Sequence, residues 1–158
     1  MPSPHDLDPT TAAYHEAGHA LMAHLLGGRV VQVTLEVDDD GEIGRTTVEW
    51  HGHSVAERRR CSALVALAGP VAEARWRGDV ALLEALSAWH DDWEEVRAAL
   101  AAEAGARNPA ALLTRWLREV HQQFADAAAW ELLCRLADVL EAHDTLDAVL
   151  LDELLGTP

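Results

Sequence analysis

AAYHEAGHALMA, residues 12–23, decides how this chain is read. It contains His15-Glu16-Ala17-Gly18-His19, two histidines four positions apart. On an α-helix four residues turn by about 400°, so both imidazoles lie on nearly one face, about 6 Å apart along the axis. Imidazoles so placed can share one zinc ion. Glu16 sits about 100° round the helix from His15. There its carboxylate can reach a water on the metal without ligating the metal itself. Zinc lowers the pKa of such a water toward about 7, and a neighbouring carboxylate takes its proton. Gly18 leaves space beside the helix. The HExxH pattern has this meaning only on a helix. Thr10 or Thr11 as N-cap and Gly27-Gly28 as stop predict one ending near Leu26.

Outward from that helix, Val30–Val37 (VVQVTLEV) alternates, with Val31, Val33, Leu35 and Val37 on one face, and reads as a strand. Asp38-Asp39-Asp40-Gly41 is a turn, and Glu42–Trp50 is the partner strand of a hairpin. The remainder reads as helices: 54–77, with a kink expected at Gly69-Pro70; a short helix or ordered loop over 80–88; 91–104, ended by Gly105; 109–123, with Asn108 as N-cap and Pro109 at N1; and 125 or 126 to 143. The sequence DTLD (Asp144–Asp147) leads into a last short helix. The fold class is mainly α (α+β), a helical domain with an HExxH helix and a small β-hairpin.

The 158 residues make about one domain. Residues 1–9, with three prolines, form a tail, and 10–158 form the single domain. A hydrophobic fraction of 49% excludes disorder. Twelve arginines, no lysine and 27 acidic residues give a net charge of −15. That surface repels phosphate, so neither nucleic-acid binding nor docking on an anionic membrane is expected. The longest apolar run, residues 63–72, falls short of the roughly 20 residues a bilayer requires. The N-terminus lacks the pattern of a signal peptide. Cys61 and Cys134 form no metal or redox motif and read as buried small hydrophobes. The expected location is cytoplasmic.

A third ligand must come from downstream, since positions 22 and 25 are Met and Leu. The acidic segment His90-Asp91-Asp92-Trp93-Glu94-Glu95 supplies candidates, although acids at a helix start also complement its dipole. His51 and His53 form an HxH near the second strand, and read as loop histidines; His24 points elsewhere. The six tryptophans read as packing residues, with Trp89 or Trp93 placed to wall the site. Arg58-Arg59-Arg60 reads as a solvated helix face, or as a docking spot for an acidic partner.

Together these segments resemble the peptidase domain of FtsH-type ATP-dependent zinc metalloproteases. The resemblance runs in order through residues 12–23, the strand VVQVTL (30–35), GEIGRTT (41–47), ALVALAGPVAEARWRG (63–78) and HDTLDAVLLDELL (143–155). The fourth of these is similar to a family segment LAGRAAEE, with Pro70 where an Arg is common. The family's third zinc ligand is an aspartate opening a helix, and the resemblance assigns that role to Asp92, with Asp91 as second choice. It implies a Zn2+ cofactor held by His15, His19 and Asp92, with Glu16 as catalytic base. The sequence has no GxxxxGK[ST] phosphate loop, so the implied partners are a peptide or unfolded protein substrate, a separate ATPase, or further copies of this protein.

The function expected from the sequence is therefore a zinc metalloendopeptidase hydrolysing peptide bonds. The strand 30–37 is expected to offer an edge to extended substrate. The alternatives are a non-hydrolytic zinc-binding interaction module with the same fold, and a zinc hydrolase of non-peptide amides.

Overall fold

Asp8 starts the first helix: its carboxylate accepts from the Thr11 backbone N–H at 2.9 Å and from the Thr11 hydroxyl at 2.8 Å. Pro9 occupies the first turn, where its missing N–H costs nothing. The cap thus falls a few residues earlier than Thr10 or Thr11, because an aspartate beside a proline satisfies the free N–H groups better than a threonine that is itself buried. The computed structural model describes residues 8–103 and 107–156. The expected tail falls mostly outside them, as does the expected helix stop at Gly105.

The order of elements is α1 (Pro9–Leu25), β1 (Arg29–Val37), β2 (Ile43–Glu49), α2 (Val55–Arg77), a 3-10 stretch (Val80–Ala88), α3 (His90–Glu103), α4 (Pro109–Ala125), α5 (Ala127–His143), β3 (Thr145–Asp147) and α6 (Ala148–Leu155). The architecture is mainly helical with a small antiparallel sheet. No helix among the described residues is long and apolar enough to cross a membrane. Ser54 and Glu57 close a capping box at the start of α2. The helix runs on through Pro70 to a left-handed Gly78.

The sheet corrects the expected hairpin in two ways. Its order is β2-β1-β3, so β1 is paired on both sides. Thr145–Asp147 pairs antiparallel with Gln32–Thr34, and three residues are too short to show an alternating pattern. The edge expected at β1 is therefore occupied over Gln32–Thr34. The outer strands are β2 and the short β3. A register shift between Val30 and Gln32 also changes the buried face: Val30, Val33 and Leu35 are buried, while Val37 is exposed.

The core lies between α1 and its neighbours α2 and α5. Ala12, Ala13, Ala17 and Ala20 of α1 meet Leu64, Leu67, Ala68, Val71 and Ala72 of α2 in one cluster. Small side chains let the two helices approach to backbone contact. A Cβ on Gly18 would stand 2.5 Å from the Ala68 carbonyl oxygen and 2.6 Å from the Ala72 Cβ. Gly18→Ala therefore forces the helices apart. It is expected to destabilise the metal-stripped protein by about 1–3 kcal/mol, read as a lower denaturant midpoint at unchanged slope.

Candidate active site

Two consecutive turns of α1 carry His15, Glu16 and His19 on its buried side; all three are less than a tenth exposed. Their candidate donor atoms lie within 4.8 Å of one another. Charged and polar groups buried this deeply require partners, and each has one. His15 Nδ1 lies 3.1 Å from Glu73 Oε2. His19 Nδ1 lies 2.6 Å from the Val65 carbonyl oxygen. The Thr46 hydroxyl of β2 donates to Glu16 Oε2 at 2.7 Å.

These partners define the tautomers. A carbonyl can only accept, so His19 carries its proton on Nδ1, and the Glu73 carboxylate assigns the same to His15. Both Nε2 atoms are left facing the carboxylate of Asp92, at the start of α3. His15 Nε2 is 2.9 Å from Asp92 Oδ2, and His19 Nε2 is 3.4 Å from Asp92 Oδ1. Of the two aspartates weighed from the sequence, Asp92 meets both histidines. Asp91 lines the same pocket but makes no ion pair with either histidine among the described residues.

Lone pairs of two neutral imidazoles aimed at a carboxylate need a positive charge between them. Without a metal, protons supply it. Burial works to strip a proton from His15, but the Asp92 and Glu73 carboxylates outweigh it and push its pKa up to about 10. The same opposition, with Asp92 prevailing, raises His19. Burial alone would raise Asp92; the two imidazoles hold it well below the usual carboxylate range. A divalent cation fits the same place. Nitrogen and oxygen ligands about 2.0–2.1 Å from a tetrahedral zinc stand about 3.3 Å apart, close to the separations from Asp92 to the two histidines.

Glu73 is the residue sequence reasoning missed. It is almost wholly buried, inside an alanine-rich turn of α2. Besides His15 it accepts from the Trp89 indole N–H at 3.0 Å and pairs with Arg77 at 3.3 Å. Thr46, which orients Glu16, carried no signal of its own. Two glycines make the assembly possible. A Cβ on Gly69 would fall 2.4–2.7 Å from His19 Cε1, His19 Nε2 and His15 Nε2, and one on Gly44, whose φ is +89°, would fall 2.7 Å from Glu16 Oε1. The site opens to a pocket of about 230 Å³ bordered by Glu42, Ile43, Gly44, Arg45, Trp89 and His90.

The other histidines lie outside it. His53 directs Nδ1 to the His51 carbonyl and Nε2 to the Leu26 carbonyl, and His51 lies beside Glu49, so the HxH pair does not converge on a metal. His24 is half-buried, and burial lowers its pKa. Cys61 is buried and Cys134 half-buried, both free.

Two outcomes follow. Glu73→Gln keeps the shape of the contact but loses the charge behind His15, and is expected to weaken metal affinity by about 10–100-fold in a chelator competition. Because a raised His15 is protonated at neutral pH and a metal takes neutral imidazole, uptake releases protons. Calorimetric heats of metal binding are expected to change with the ionisation enthalpy of the buffer, and equal heats in all buffers would contradict this.

A family model described as Peptidase M50B-like matches residues 7–102, a stretch that holds α1, the Glu73 turn of α2, Trp89 and Asp92. No curated protein matches this sequence. With more than half of its length matched, from the HExxH helix to the aspartate-bearing helix, the chain belongs to the Peptidase M50B-like family.

Proposed function

We propose that the protein is a zinc-dependent metallopeptidase that hydrolyses peptide bonds, with the active-site logic of the FtsH-type peptidase domain it resembles. The observation that carries this reading is the convergence of two tautomerically assigned histidines on Asp92, with Glu16 held alongside. His15, His19 and Asp92 would hold the metal. A zinc ion there supplies a Lewis acid that polarises the scissile carbonyl and acidifies a water.

Glu16 is placed to take a proton from the attacking water and to pass it to the leaving amine. The Thr46 hydroxyl, bonded to Oε2, fixes the carboxylate's orientation and leaves Oε1 for proton transfer. Glu73, bonded to His15 Nδ1, keeps that ring's basic nitrogen toward Asp92. Trp89 and Arg77 bind the Glu73 carboxylate from other sides, so it does not move when the charge at His15 changes. An extended peptide or unfolded segment is placed by the edge of β2, whose Gly44, Arg45 and Thr46 border the site.

The test combines metal content with hydrolysis. Wild-type protein is expected to hold about one zinc per molecule, and His19→Ala and Asp92→Ala to lose it. Glu16→Gln is expected to retain the metal while peptide hydrolysis falls at least 100-fold, the lower end for loss of a general base. Zinc retained with no hydrolysis by the wild type would favour a non-hydrolytic zinc-binding module instead.

A further inference from the structure

A second, larger pocket of about 480 Å³ lies between the first turns of α2 and the middle of α3. Val55, Arg58, Arg59 and Ser62 line it at helical spacing along one face of α2. Glu95, Ala98 and Ala99 line it from α3, and Trp50 completes the lining. The indole is fixed in place: His53 meets it edge-on at 5.2 Å, and a Cβ on Gly28 would fall 2.8 Å from it.

Two of its lining residues are free arginines. In a protein of net charge −15, six arginines are already engaged: Arg29, Arg45, Arg60, Arg77 and Arg97 in ion pairs, and Arg75 with the Phe124 carbonyl and the Trp130 ring. Arg58 and Arg59 are exposed, and their guanidiniums have no ion-pair or hydrogen-bond partner among the described residues. Of the Arg58-Arg59-Arg60 run, only Arg60 is engaged, to Glu119 at 2.6 Å. Two unengaged guanidiniums against a fixed indole make a site for a planar anion with an apolar neighbour.

The pocket also adjoins the metal site. Glu95 borders both it and the smaller pocket that contains Glu16, His19, Thr46 and Asp92. From Asp92 to Ala99 is seven residues of helix, about 10 Å, which an extended peptide spans in about three residues. The opposite end of the cleft is bordered by Asp38, Glu42 and Asp91, with Arg45 paired to Asp38. A bound peptide therefore meets a net negative charge at one end, and at the other two free guanidiniums beside the single carboxylate of Glu95.

We propose that the Arg58–Arg59 pocket binds a substrate carboxylate about three residues from the bond that is cut, either a peptide C-terminus or an acidic side group. That the ligand is a substrate rests on the metallopeptidase reading; the carboxylate site itself does not.

The test is calorimetric binding to Glu16→Gln protein of hexapeptides with one common sequence, ending in a free acid or an amide and carrying Glu or Gln at the third position from the end. The carboxylate forms are expected to bind about 10-fold tighter, as a charge-assisted contact warrants. That advantage is expected to vanish in Arg58→Ala/Arg59→Ala and in Arg58→Gln/Arg59→Gln. It should persist in Arg115→Ala/Arg118→Ala, which removes arginines lining a separate pocket on α4. An advantage confined to the free-acid peptide assigns the site to peptide termini, and one confined to Glu assigns it to acidic side groups. Equal binding of all four peptides, no binding, or an advantage that survives loss of both arginines would overturn the proposal. Wild-type hydrolysis with no carboxylate preference would refute this pocket alone, whereas carboxylate preference without hydrolysis would refute the peptidase reading alone.

Discussion

Helices α1 and α2 touch at backbone distance, and everything at the site depends on that contact. With Gly18 against the Ala68 carbonyl and Gly69 against the two imidazoles, the helices lie close enough for a backbone oxygen of α2 to accept from His19. The same approach brings Glu73, one turn beyond Gly69, under His15. A pair of leucine-packed helices at an ordinary 8–10 Å separation would leave both Nδ1 atoms without these partners. The alanine-rich sequence of both helices thus has a positional role beyond helix propensity.

The contact also explains how so much charge is tolerated in the interior. Four ionisable groups, His15, Glu16, His19 and Glu73, are less than a tenth exposed, and no buried side-chain polar atom among the described residues lacks a hydrogen-bond partner. Such a network is stable only when complete, since each unpaired member costs several kcal/mol. Its completion requires α1, α2, α3 and β2 together. The site is consequently a product of the tertiary fold, although its central motif is local.

How much was legible in the sequence follows from the same distinction. His15, Glu16 and His19 lie on a single helix, and helical geometry relates them without knowledge of the rest. Asp92 is 73 residues beyond His19 in number, and only a family resemblance singled it out from Asp91; its place against the histidines depends on how α3 docks. Glu73 escaped notice because a lone carboxylate in an alanine run has the same local appearance on a buried face as on a wet one. The strand β1 was evident from its β-branched residues, but its register was not, because the shift near Val30 is set by pairing. Its second partner, three residues at 145–147, is defined by tertiary pairing rather than by pattern.

That second partner has a consequence for traffic at the sheet. The Leu35 backbone N–H donates to the Asp144 carbonyl at 2.8 Å, and Thr34 and Thr145 join their hydroxyls at 2.7 Å. Arg29 reaches Asp152 of α6 at 3.1 Å. The protein's own later segment thereby covers the middle of β1, and the outer strands of the sheet are β2 and the three-residue β3. Unpaired strand edges recruit any extended polypeptide that meets them. Here the longer of the two outer strands, seven residues against three, is the one whose Thr46 holds Glu16. A sheet built in this way is polarised: its longer outer edge lies on the flank beside the carboxylates and its shorter one on the flank away from them.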